Sequence, residues 1–162
     1  MAEDTTPSST ATAAAAKSTF NGSCHCGKIR YTLAVALTDP PSATRCNCTL
    51  CEKMGFTNIR VADPAADFQL QTPAALAELP SYSYRTKDVR RYFCDKCGVH
   101  VVGAGSYEFQ GQVHHFFSVN LHTLDQPQDG LDLSTFTYTY VDGLRDNWMA
   151  APKSTPYPNG SL

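Results

Sequence analysis

The seven cysteines of this 162-residue chain fall into three tight groups: Cys24 and Cys26, then Cys46, Cys48 and Cys51, then Cys94 and Cys97. Cysteines one or two residues apart are poorly placed to bridge one another and well placed to aim their sulfurs at one ion. An odd number also excludes complete disulfide pairing within the chain. Thiolates that serve a metal persist where the surroundings are reducing, so a cytoplasmic location is expected.

In Phe93-Cys94-Asp95-Lys96-Cys97-Gly98 the spacing predicts a tight turn with both sulfurs facing one ion, the glycine supplying a positive φ. Gly22-Ser23-Cys24-His25-Cys26-Gly27 follows the same logic with a single intervening residue. Two plus two makes a closed four-cysteine site, which in zinc proteins is structural. The middle group, Arg45-Cys46-Asn47-Cys48-Thr49-Leu50-Cys51, offers three sulfurs and finds no fourth cysteine. Three protein ligands and one open position is the arrangement of a catalytic zinc, which lowers the pKa of a bound water or thiol and polarises carbonyls. The competing arrangements are a second structural site completed by a histidine or carboxylate, and a disulfide formed on loss of metal.

These three motifs, in this order and spacing, resemble the glutathione-dependent formaldehyde-activating enzyme family, also called the centromere protein V/GFA domain, over about Phe20 to Leu124. The resemblance implies a small Mss4-like (β-tent), mainly β domain that carries zinc. It implies that Cys24, Cys26, Cys94 and Cys97 hold a structural ion, and that Cys46, Cys48 and Cys51 hold a second, catalytic one near which glutathione binds as co-substrate. The implied activity is that of a carbon–sulfur lyase handling S-(hydroxymethyl)glutathione or a related thiol–aldehyde adduct. Thr49 and the segment Glu52 to Phe56 depart from the family's usual middle motif, which leaves room for a relative acting on another substrate in specialised metabolism. The alternative from another class is a non-enzymatic, zinc-stabilised module that binds glutathione or a protein partner.

Other residue types that do chemistry are weighed against plainer roles. Of the five histidines, His25, His100, His114, His115 and His122, each is expected to be a surface or satisfied side chain; His114 and His115 are adjacent in a strand and face opposite ways. Glu52 follows Cys51 and is read first as solvated, then as a proton relay. Arg85, Lys87, Arg90, Arg91 and Lys96 form one basic run, read as a hairpin face with the capacity to bind carboxylates. Phe56 and Phe93 flank metal motifs and are read as packing residues that also suit a pocket wall.

The elements that must position these groups are mostly strands. Ile29, Tyr31, Leu33, Val35 and Leu37 alternate with small or polar residues, the pattern of a half-buried strand. Further strands are expected at Phe56–Val61, Ser81–Tyr84, Arg90–Phe93, Val99–Val102, Val113–Val119 and Thr135–Val141. Turns are expected at Asp39-Pro40-Pro41, Gly103-Ala104-Gly105, Gln126-Pro127, Asp129-Gly130 and Asp142-Gly143. Short helical turns are expected at Thr72–Leu79 and Cys48–Met54. The fold class is therefore mainly β, an antiparallel domain with zinc-binding loops and little helix.

The domain is expected over residues 19–150. A disordered Ala/Ser/Thr-rich tail precedes it at 1–18, and a flexible Pro/Gly-containing tail follows it at 151–162. The balance of 13 Lys and Arg against 15 Asp and Glu, net charge −2, offers no footprint for nucleic acid. No stretch nears the roughly 20 apolar residues of a membrane span, and the N-terminus lacks the pattern of a secretory signal. A small-molecule partner is expected. The sequons at Asn21, Asn47 and Asn159 are read as chance.

Overall fold

The computed structural model describes residues 16–84, 88–148 and 150–160. In chain order the strands are β1 (Ser18–Ser23), β2 (Arg30–Val35), β3 (Ser42–Cys46), β4 (Thr57–Arg60), β5 (Phe68–Thr72), β6 (Ser81–Ser83), β7 (Val89–Phe93), β8 (His100–Phe109), β9 (Gln112–Asn120) and β10 (Thr137–Val141). Two short helices, α1 (Thr49–Met54) and α2 (Pro64–Asp67), accompany them. A small sheet runs β1-β2-β5 and a larger one β10-β3-β4-β9-β8-β7-β6. The architecture is mainly β with little helix, as the periodicity predicts. One pairing differs from the expected antiparallel order: β10 runs parallel to β3, with Tyr140 opposite Arg45 and Val141 opposite Cys46.

The core fills the space between the sheets. On β2 the alternation buries Tyr31 and Leu33, which join Phe20 of β1 and face Val102 and Val119 of β8 and β9. An aromatic ladder crosses from sheet to sheet: Tyr31 to Phe68 at 5.2 Å and Phe68 to Phe117 at 4.9 Å between ring centroids. Fully burying an aliphatic or aromatic side chain contributes roughly 1.5–3 kcal/mol, so this layer supplies much of the drive to fold. The Tyr31 hydroxyl, taken into the core with its ring, shares a hydrogen bond of 2.8 Å with Thr123 Oγ1. Thr123 in turn donates to the carbonyl of Asn120 at 2.7 Å. Burial pushes the Tyr31 hydroxyl well above its usual pKa, so it stays neutral.

Several local expectations are corrected. Gly103-Ala104-Gly105 is no turn but lies inside β8. A Cβ on Gly105 would collide with the Asp88 carbonyl, and one on Gly103 with the Arg91 guanidinium. These glycines serve close approach, not chain reversal. The expected helix at Thr72–Leu79 shrinks to a single 3-10 turn, Leu76–Glu78, because β5 extends to Thr72. The strand expected at Thr135 starts at Thr137, after the 3-10 turn Leu133–Thr135. Strands β1, β3 and β5 were not anticipated.

At the ends, Lys17 pairs with Asp67 at 2.8 Å and Ser18 opens β1. Lys153 exchanges two backbone hydrogen bonds with Tyr140, and Tyr157 is buried. Residues 1–15 and 161–162 lie outside the described residues, as do Arg85 and Lys87 of the basic run.

Candidate metal centre

The two outer cysteine motifs fold into matching turns. In the first, Gly27 N–H donates to the Cys24 carbonyl at 2.9 Å and Cys24 N–H to Ile29 at 3.1 Å. In the second, Gly98 N–H donates to Cys94 at 2.8 Å and Cys94 N–H to Val99 at 3.0 Å. Gly27 and Gly98 have φ of +71° and +75°, a conformation that a side chain would strain. Just before the second turn, the pairing of β7 with β8 slips between Tyr92 and Phe93. Such an irregularity re-aims the chain beside a site.

These turns bring four sulfurs together. Those of Cys24, Cys26, Cys94 and Cys97 lie within 4.8 Å of one another. Cys26 Sγ is 3.6 Å from both Cys24 Sγ and Cys94 Sγ. Four sulfurs around a zinc at about 2.3 Å stand roughly 3.8 Å apart, so the donor set fits that ion. The Ile29 N–H donates to Cys24 Sγ at 3.2 Å, support of the kind thiolate ligands receive. Burial pushes the Cys94 thiol up to about 12. For Cys97 burial is outweighed by hydrogen bonds from the backbone at Val99 and Cys26, and its pKa drops to about 6. The exposed pair Lys28–Asp95, 2.7 Å, joins the two turns at the surface and contributes little there.

The middle motif spans the end of β3 and the start of α1. Cys48 is the helix N-cap, its sulfur accepting from Cys51 N–H at 3.4 Å, and Gly55 closes the helix in the left-handed region. This geometry gathers the sulfurs of Cys46, Cys48 and Cys51 within 4.8 Å of one another. Hydrogen bonds from the Cys46 and Cys51 thiols, joined by the backbone N–H groups of Cys51 and Leu50, hold Cys48 far below the usual thiol pKa. Cys46, donating to Cys48 and Cys51 and largely buried, is pushed far up. The donor set suits a soft divalent ion such as zinc and contributes three ligands, not four.

The C-terminal part of the domain clamps this motif. Asn47, 5% exposed, donates to Asp142 Oδ1 at 2.8 Å and accepts from Leu144 N–H at 2.9 Å. Asp142 also pairs with Arg145 at 3.2 Å, and the Asn47 bond, followed by Arg145, holds its carboxyl below the usual range. The enclosed, hydrogen-bonded Asn47 makes a poor glycan acceptor. Gly143 passes so close to the triplet that a Cβ there would stand 2.5 Å from Cys46 Sγ.

A cavity of about 150 Å³ opens beside the triplet, lined by Arg45, Cys46, Cys51, Glu52, Gly55, Phe56, Thr57 and His122. His122, expected as a surface or satisfied side chain, instead lines this cavity, and its ring shares a 3.2 Å hydrogen bond with Thr57 Oγ1. Lost hydration, then the nearby Arg45 charge, lowers its pKa, so the ring is neutral at pH 7. Arg45 stacks on Tyr138, Cζ 4.1 Å from the ring centroid. Arg91, on β7, places Nη2 4.0 Å from Cys51 Sγ.

The other candidates lie elsewhere. His114 stacks on Tyr107, His25 is exposed, and His100 packs against Phe93. Arg90 donates to Ser81 and lines, with Arg60, Tyr92 and His115, a larger cavity of about 620 Å³ that holds no cysteine. Volume favours that cavity as a ligand site, but the cysteines Cys46 and Cys51 line the smaller one.

A mainly β domain that builds one four-sulfur and one three-sulfur cluster, each able to hold a metal ion, defines a class of β proteins in which the second cluster borders a cavity. The family model for the glutathione-dependent formaldehyde-activating enzyme matches residues 19–139, and the chain belongs to that family. No curated protein matches the chain. Among the described residues no helix is long and apolar enough to cross a membrane.

Proposed function

We propose that the protein is a zinc-dependent carbon–sulfur lyase acting on a thiol–aldehyde adduct, S-(hydroxymethyl)glutathione or a close relative, in the reducing cytoplasm. The observation that carries this reading is the convergence of three sulfurs, Cys46, Cys48 and Cys51, with no fourth cysteine in the group, beside a cavity that Cys46 and Cys51 line. Family membership supports the same chemistry. Cys24, Cys26, Cys94 and Cys97 would hold a structural ion. A zinc held by the triplet would supply Lewis acidity toward a thiol or carbonyl oxygen.

In the forming direction the thiol loses its proton, a carbon–sulfur bond forms, and the aldehyde oxygen gains a proton. His122, uncharged and facing the cavity, accepts the thiol proton, and Glu52 on the same wall is placed to exchange it with solvent. A cavity of about 150 Å³ accommodates a one-carbon aldehyde and the end of a thiol chain, so the rest of the thiol compound lies outside it. Arg45 and Phe56 line the same cavity.

The test follows exchange between formaldehyde and glutathione by NMR, with wild type and Cys48→Ala. Wild type is expected to accelerate exchange above the uncatalysed rate, and the variant to lose that acceleration while staying folded. Equal rates for both, above background, would refute the role of the triplet. A rate no faster than background for wild type carrying both ions would refute the lyase reading.

A further inference from the structure

Arg91 has surroundings that packing alone does not explain. Its guanidinium lies between the rings of Phe56 and Phe116, with Cζ 5.3 and 5.4 Å from the centroids. It lies over Gly103 of the neighbouring strand, where a Cβ would stand 2.5 Å from Nη1. Nε and Nη1 are buried without a hydrogen-bond partner, while Nη2 points at Cys51 Sγ. A charge withdrawn from water is strongly disfavoured unless an opposite charge lies close by. Among the described residues no carboxylate lies within ion-pair distance of Arg91. Among the described residues the group that Nη2 faces is the Cys51 sulfur, which carries negative charge once it serves as a metal ligand.

We propose that Arg91 is the counter-charge of the three-cysteine centre and makes that centre selective for an anionic fourth ligand, a thiolate, over a neutral one. The inference rests on the reading of the triplet as an open metal site. Three thiolates and a divalent ion sum to a charge of −1. A fourth thiolate, its proton released to solvent, makes the sum −2, whereas a neutral ligand leaves it at −1. Attraction to the fixed guanidinium therefore grows only when the incoming ligand is charged. Arg91 is half-buried, with Nε and Nη1 out of reach of water, and this partial desolvation strengthens that attraction over its value in bulk water. Phe56 forms part of the cavity wall, which puts the cation directly behind the surface that a ligand would meet. Arg91 is thus a positioning and selectivity residue that touches Cys51, not the reacting atoms.

The test uses the full chain loaded with cobalt(II), whose absorption reports changes in its ligands. It is titrated with 2-mercaptoethanol, a thiol without a carboxylate, and separately with imidazole as a neutral ligand. For Arg91→Met the affinity for the thiol is expected to fall at least tenfold, about 1.4 kcal/mol, with imidazole affinity changed by less than about twofold. Arg91→Lys, which keeps the charge, is expected to retain most of the thiol affinity. Unchanged thiol affinity in Arg91→Met, or an equal loss for both ligands, overturns the proposal. Should Arg91→Met fail to fold, Arg91→Gln serves under the same criteria. If the wild type shows no spectral response to either ligand, the open-site reading fails and takes this inference with it. A wild-type response that is identical in the variant removes only the role of Arg91.

Discussion

Gly143→Ala is a single methyl group added outside every cysteine motif, and it is expected to empty the triplet of metal while leaving the four-sulfur ion in place. The added carbon would stand 2.5 Å from Cys46 Sγ and collide with the Trp148 ring. Ordinary contacts between such atoms are about 3.5–4.0 Å, so something must move by roughly 1 Å. Trp148 is 53% exposed and can swing away; Cys46 is 4% exposed and cannot retreat. Metal–ligand distances tolerate about 0.2 Å, so a displacement several times larger disables Cys46 as a ligand or drags β3 with it. Losses from disturbing the groups that support a ligand run to roughly 10–100-fold in metal affinity, and loss of the ligand itself costs more. Overpacking of this kind also costs about 1–3 kcal/mol of stability. The assay is metal content per chain before and after competition with a mild chelator. Wild type is expected to carry two ions, one tight and one labile, and Gly143→Ala only the tight one. Two ions of unchanged lability in the variant would refute the reasoning, since Cys46 would then have room the structure denies it.

Tyr31→Phe removes a buried hydroxyl and strands that of Thr123, which keeps only its bond to Asn120; a loss of about 1–2 kcal/mol is expected by urea denaturation, and a neutral outcome would mean that the pair carries no net stabilisation. Asp142→Asn tests the clamp on the triplet. The Asp142 carboxyl is depressed below 3.8 in the fold, by Asn47 first, so its contribution is present above that value and lost as pH falls through the lower folded value. Wild type should therefore be the more stable at neutral pH, with the gap closing as pH falls from about 5 through the depressed folded value; a gap that stays constant contradicts the assignment. His122→Ala is expected to slow the proposed reaction by roughly 10²–10⁴-fold without changing metal content, and an undiminished rate would remove it from proton transfer.

The parts legible in the sequence are those set by neighbours along the chain. The Cys-x-Cys-Gly and Cys-x-x-Cys-Gly turns, the short helix that follows Cys48 and the alternation of β2 each depend on a few consecutive residues, and each is found where expected. The strands that went unseen lack that local mark. Ser42–Cys46 is mostly small and polar, and Ser18–Ser23 presents a single bulky apolar residue, Phe20; pairing with β10 and β2 makes them strands. Gly103 and Gly105 imitate a turn because glycine's other use, making room for a neighbour, leaves the same trace in the sequence. His122, Arg45 and Arg91 meet at the triplet only through the pairing of β3 with β4, β4 with β9 and β7 with β8. Contacts between residues 40 or more positions apart, such as Arg91 and Cys51, leave no periodicity to read.

The parallel pairing of β10 with β3, and the clamp of Asp142, Gly143 and Leu144 on Asn47, bear on the order in which the molecule is made. A chain leaves the ribosome N-terminus first, at about 5–20 residues per second. All four sulfurs of the Cys24, Cys26, Cys94 and Cys97 cluster are out once Cys97 has emerged. The triplet emerges earlier still, but the segment that seals it, starting at Asp142, follows only 91 residues after Cys51. During that interval β3 lacks its outer neighbour, and Cys46 stands without the cover of Gly143 and Trp148. The nascent chain thus passes through a stage in which the thiols of the triplet are open to ions and oxidants, and translation of the segment after the last strand brings that stage to an end.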